Sequence, residues 1–252
     1  MFDDKTTYKV QRWAAWAGPF FVVTYFIFWV GLGHNFPPPV IGQSAADLVA
    51  NHYVKYQEHI RLGMAFSAWL GIIYVIWSIQ LALQMWRREK VPVLSLMELL
   101  GGCLTGWVLA TCAAEWTWCA TWAGTPGVPD ELVKEVHVRA WYIYDMTWTV
   151  TAIQCWGCGF FALLDKKQPS VFPRWIGWLA IFTPVAWFPL IFLPWNHSGI
   201  WSVSGYWGFH VVFIIWGVWF CSYSYYMFQD LKRIRVSAVP GIGQAMSHGT
   251  AE

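Results

Sequence analysis

Residues 62–86 read LGMAFSAWLGIIYVIWSIQLALQMW, a run without one charged side chain. At about 1.5 Å of rise per residue, this run as a single α-helix is long enough to cross a hydrocarbon core roughly 30 Å thick. Five more apolar stretches of comparable length follow the same logic, at about 13–33, 94–122, 138–164, 175–195 and 206–229. The expected fold is therefore an all-α integral membrane protein, a six-helix transmembrane bundle forming a single domain over 1–252. Residues 233–252 read as a flexible cytoplasmic tail.

Composition agrees with a bilayer and excludes several alternatives. The chain of 252 residues is 57% hydrophobic and only 12% charged, about half the charge of a soluble domain. Aromatic residues make up 19%, with 21 tryptophans, whose amphipathic rings suit lipid headgroups and spaces between helices. A net charge of +2 with no basic stripe argues against nucleic acid as a partner. Cys103, Cys112, Cys119, Cys155, Cys158 and Cys221 all fall within apolar segments and read as packing residues. Cys155-Trp156-Gly157-Cys158 has the spacing of a redox pair but sits mid-span, where packing is the simpler role. The first apolar run lacks a small-residue cleavage site and reads as a retained helix.

Lysine and arginine set the expected topology, because positively charged connections stay in the cytoplasm. Lys5, Lys9, Arg12, then Arg87, Arg88, Lys90, then Lys166, Lys167, Arg174, then Lys232, Arg233, Arg235 lie on one side; Lys55, Arg61, Lys134 and Arg139 lie on the other. Both termini are thus expected to be cytoplasmic. In the first outer connection, Ser44-Ala45-Ala46-Asp47 has the form of a helix start, predicting a short amphipathic helix over 45–60. Pro184 and Pro189 are expected to kink the fifth span.

Two acids, Glu115 and Asp145, fall well inside spans and carry the main functional signal. A carboxylate in lipid costs on the order of 3 kcal/mol, so such groups face a cavity or a partner. Glu115 lies roughly 10 Å from Trp122 along its helix, and Asp145 roughly 12 Å from His137, which predicts one shared level. Helical neighbours make the surroundings aromatic: Trp118 beside Glu115, and Trp141, Tyr142 and Trp148 beside Asp145. The plainer alternative is that each acid accepts a hydrogen bond from an indole or phenol and only ties helices together. Glu98, Gln80, Gln84 and Gln154 read as interhelical hydrogen-bonding groups.

His34, His52, His59, His137, His197 and His210 map to the outer side, and His248 to the inner. Imidazole with carboxylate suits zinc, copper or iron, yet no HxxxH pair occurs, so interfacial solvation is the simpler reading and no metal site is assigned. His210 is the one reasonable axial ligand for a haem and has no second ligand, which leaves the cofactor unknown. His59 and His210 are instead assigned to the rim of the candidate pocket.

Glu58-His59-Ile60-Arg61-Leu62-Gly63-Met64, Tyr144-Asp145-Met146-Thr147-Trp148 and Phe172-Pro173-Arg174-Trp175-Ile176-Gly177-Trp178 resemble blocks in uncharacterised multi-pass bacterial membrane proteins. That resemblance implies a bacterial inner membrane and carries no activity. Three functions fit the residues. The first is binding or transport of a small hydrophobic molecule, with Glu115 and Asp145 orienting its polar end. The second is a membrane enzyme using the two acids as general acid and base on a lipid-like substrate. The third is an accessory subunit, in contact with membrane-protein partners or a second copy of itself.

Overall fold

A computed structural model describes residues 4–237, and every regular element among them is helical. Helix α1 (Asp4–Tyr25) continues as a π-helix over Phe26–Leu32. A short α2 (Ala45–Leu48) runs into a second π segment, Val49–Val54. The long helices α3 (Gln57–Trp86) and α4 (Val93–Trp122) form an antiparallel pair. Next come α5 (Asp130–Met146) and α6 (Trp148–Leu164), nearly continuous, and α7 (Arg174–Trp187), which passes into a 3-10 helix over Phe188–Trp195. A π segment, Tyr206–Val211, opens α8 (Val212–Ser237).

Six helices are long and apolar enough to cross a membrane: Lys5–Leu32, Gln57–Trp86, Val93–Trp122, Asp130–Leu164, Arg174–Trp195 and Tyr206–Ile234. The chain is a multi-pass membrane protein. Helices are the natural solution, since a helix satisfies its backbone amides within its own segment where no water is available.

Three boundaries differ from the sequence expectation. The helix expected over 45–60 is only the α/π segment Ala45–Val54, because Tyr56 (φ −118, ψ 24) breaks the chain and residues from Gln57 onward belong to α3. Its predicted start does hold, as the Ser44 hydroxyl accepts from the Asp47 amide at 3.1 Å. The fourth span begins at Asp130 rather than near 138, with Pro129 ahead of it and Asp130 and Glu131 complementing the helix dipole in its first turn. In the expected tail, residues 233–237 continue α8, while 238–252, including His248, lie outside the described residues.

Small residues set how closely the helices approach. A methyl on Gly106 of α4 would lie 2.6 Å from the Gly71 carbonyl oxygen of α3, so these two backbones touch. In lipid, helix association relies on such packing because the hydrophobic effect does not discriminate protein from acyl chain. Farther along the bundle, Trp77 stacks on Phe220 at 4.1 Å and its indole N–H donates to the Ser224 hydroxyl at 2.9 Å, fastening α3 to α8.

Candidate functional site

The fourth span is interrupted at mid-length, and that break creates the site. Thr147 (φ −84, ψ 15) separates α5 from α6; its hydroxyl donates to the Ile143 carbonyl at 2.7 Å, and its own carbonyl accepts from the Val150 amide at 3.0 Å. Asp145 therefore sits on the last turn of α5. It is 4% exposed, and its Oδ2 has no hydrogen-bond partner. Asp145 lines a small cleft of about 80 Å³ together with Tyr144, Trp148, Trp187, Phe213 and Trp216. Thr105 of α4 and Thr151 of α6 also line it, their hydroxyls 2.8 Å apart.

Changes of helical form gather around this cleft. Trp187 is the last residue of α7 before the 3-10 segment, and Phe213 follows the π segment that opens α8. The prolines contribute directly: Pro189 and Pro194 lack amide donors, which favours the tighter helix beyond Phe188. Trp29, in the π segment of the first span, stacks on Tyr144 at 5.8 Å and on Phe213 at 5.4 Å, backing the cleft with aromatic side chains.

The two acids expected to share a pocket are held apart. Glu115 is paired with Arg139, Oε2 to Nη2 at 2.7 Å, its side chain 24% exposed, and it is not among the cleft residues. Arg139 of α5 lies across from Glu115 of α4 and neutralises it. Trp148 shares the cleft with Asp145. Trp141 is buried one turn away, with its ring 4.8 Å from that of Trp116. Tyr142 faces a separate surface groove with Glu131, Lys134 and Arg139. Trp118 is half-buried against the core. His59 is exposed, and His210 stands beside the rings of Phe36 and Phe209, so neither lines the cleft.

Glu98 is the acid whose position the sequence reading understated. It is fully buried in α4, and its Oε1 accepts from the Ser78 hydroxyl of α3 at 2.8 Å and from the Gln154 amide of α6 at 2.9 Å. The Tyr74 hydroxyl donates to the other end of the Gln154 amide at 2.7 Å. Three helices meet in this cluster, in keeping with the expected interhelical role. Gln84 likewise reaches the Met227 carbonyl of α8 at 3.0 Å. The pair Gly101-Gly102 was the available clue: a methyl on Gly102 would meet the Gln154 amide nitrogen at 2.8 Å, so only glycine leaves room for the cluster. Cys155 and Cys158 are buried free thiols, as packing residues would be. Cys112 and Cys119 donate to the Ala140 and Val133 carbonyls at 3.3 and 3.5 Å, joining α4 to α5.

At the end of the bundle holding residues 33–56, histidines collect without forming a metal centre. The ring of His34 stacks on Tyr56 at 3.9 Å and lies 5.8 Å from that of His59, and His52 lies 6.2 Å from buried His137. His137 Nδ1 is hydrogen-bonded to the Tyr53 hydroxyl at 2.7 Å. Among the described residues, no group of three or more His, Cys, Asp or Glu is placed to hold a metal ion.

Burial, with His34 as a like-charge neighbour, pulls the His52 imidazole down from 6.5 to about 4. His34 is lowered as well, by burial and then by His59 and Lys55. Such groups bind fewer protons folded than unfolded, so stability is full above about pH 6.5 and declines as pH falls toward about 4. Melting temperature should fall across this window, and His52→Gln should flatten the decline. An unchanged slope in H52Q would acquit His52 as its source.

No protein-family model, curated protein or solved structure matches the chain.

Proposed function

We propose that the protein binds, and moves within the bilayer, a small hydrophobic molecule whose polar end is held by Asp145. The observation that carries this reading is Asp145, a residue with a buried, unpartnered Oδ2, in the lining of a cleft it shares with Tyr144, Trp148, Trp187, Phe213 and Trp216. Buried polar groups are normally satisfied, and a charge-assisted hydrogen bond is worth about 1.5–3 kcal/mol. A ligand offering that bond and an apolar body would fit both features. The acid/base enzyme is less well supported, because Glu115 is engaged by Arg139 and Asp145 has no second acid beside it in the cleft. On the distribution of lysine and arginine, we place both termini in the cytoplasm, and the resemblance of three sequence blocks to bacterial membrane proteins implies a bacterial inner membrane.

Mass spectrometry of molecules copurifying with wild type and with Asp145→Asn tests the reading. A species present on wild type should drop at least about tenfold on D145N, at unchanged monodisperse yield, as expected for the loss of more than 1.4 kcal/mol. Equal retention on both proteins would overturn the assignment of Asp145.

A second reading, membership of a larger membrane assembly, is favoured by Trp69 of α3 and Trp107 of α4, which are 65% and 61% exposed near the middle of their helices. Tryptophan prefers the interfacial zones of a bilayer, so mid-span rings suit contact with another protein or a second copy. Replacing both with leucine should lower the native mass if they form such a contact, and leave it unchanged if they face lipid.

A further inference from the structure

We infer that the molecule held in the cleft is a cation, a small apolar tertiary or quaternary ammonium whose head is the counter-ion of Asp145. The inference rests on the ligand-binding reading above and names the ligand's class. Its first support is charge. The residues lining the cleft include no lysine, arginine or histidine. On the same helix, Arg139 is paired with Glu115, and His137, two turns from Asp145, is bonded through Nδ1 to Tyr53. The two other ion pairs among the described residues, Arg61 with Glu58 and Arg87 with Asp230, also leave Asp145 aside. A carboxylate removed from water with no positive partner is costly, and a bound cation removes that cost.

The second support is the wall. Tyr144, Trp148, Trp187, Phe213 and Trp216 contribute five aromatic residues to the cleft that Asp145 lines. Aromatic rings attract a cation electrostatically, most strongly when it is desolvated, and they recognise quaternary ammonium groups whose methyls cannot hydrogen-bond. The third is what the cleft does not demand. The Thr105 and Thr151 hydroxyls bond to each other, Thr105 also to the Gly101 carbonyl at 2.8 Å, and Thr147 to the Ile143 carbonyl. With these satisfied, the buried polar atoms of the lining left unpartnered are Asp145 Oδ2 and the Trp187 indole nitrogen, and Asp145 is the lining's one ionisable acid, which suits a ligand with one charged end and an otherwise apolar body. An anionic ligand would meet like charge, and a sugar would leave its hydroxyls facing indole and phenyl rings.

Two probes of nearly one shape separate charge from hydrophobicity: phenyltrimethylammonium and its neutral isostere tert-butylbenzene. Each is titrated against the full chain in nanodiscs by tryptophan fluorescence, with empty nanodiscs correcting for partition. The cation should bind the wild type roughly tenfold or more tightly than the isostere, the discrimination expected of a desolvated charge. Asp145→Asn should erase that preference, and Trp216→Leu should weaken it while Asp145 stays in place. Equal affinity for both probes would overturn the inference and leave the hydrophobic-ligand reading standing, as would tighter binding of the neutral one. A cation preference that survives in D145N would also overturn it, locating the charge recognition elsewhere. Binding of neither probe would refute the ammonium class; the ligand reading itself falls only if wild type also copurifies with no species that D145N lacks.

Discussion

Gly106→Val is expected to abolish most recovery of folded protein. A Cβ at this position would lie 2.6 Å from the Gly71 carbonyl oxygen and 2.7 Å from Val75 Cγ2. The first obstacle is backbone, and no rotamer change relieves it. Overpacking of a well-filled interior costs about 1–3 kcal/mol even when side chains can yield, so a cost at or beyond the upper end is expected here. The effect falls on α3 and α4, which pack along each other over much of their length. Gly217→Ala on α8 is the matched control: nothing lies within 4 Å of the added methyl, and the change should be neutral or gain up to about 1 kcal/mol of helix propensity. Thermal melting and monodisperse yield of the two variants check both statements. If G106V melts with wild type, the close approach of α3 and α4 does not hold the bundle together.

Substitutions at Glu98 should separate shape from hydrogen bonding. Glu98→Leu removes the acceptor used by the Ser78 hydroxyl and the Gln154 amide, leaving two buried donors without that partner. At about 1–3 kcal/mol for each unsatisfied group, the expected loss is about 2–6 kcal/mol. Glu98→Gln keeps an oxygen in the same place and carries no charge, so it should melt close to wild type. Tyr74→Phe, which removes a single donor to Gln154, should fall between them, at about 1 kcal/mol. The predicted order is wild type and E98Q highest, Y74F next, E98L lowest. A leucine variant as stable as wild type would show that the cluster adds nothing to the fold.

The Glu98 cluster and the Asp145 cleft show two degrees of legibility. That Glu98, Gln84 and Gln154 join helices could be read from polar groups inside apolar runs, since lipid offers them no other partner. Their convergence on one point could not, because it depends on glycine at 102 admitting Ser78 and Gln154 together. For the cleft, Asp145 and Trp148 were visible as an intramembrane acid with an aromatic helical neighbour. Thr105, Trp187 and Trp216 come from three other helices, and no spacing along the chain relates them to residue 145. Glu115 looked equivalent to Asp145 by depth alone. Depth follows from counting residues, whereas the partner of a side chain depends on which way its helix is turned, and Arg139 decided that for Glu115.

The amino-acid sequence by itself determined that the chain crosses a membrane six times as helices, because apolar length and the need to pair every backbone amide are local properties of each segment. Only the tertiary structure decided which intramembrane acid is neutralised and which faces an aromatic space. That choice is made by the rotation and crossing of helices against one another and by a break at Thr147, and those are set by packing among residues distant in sequence.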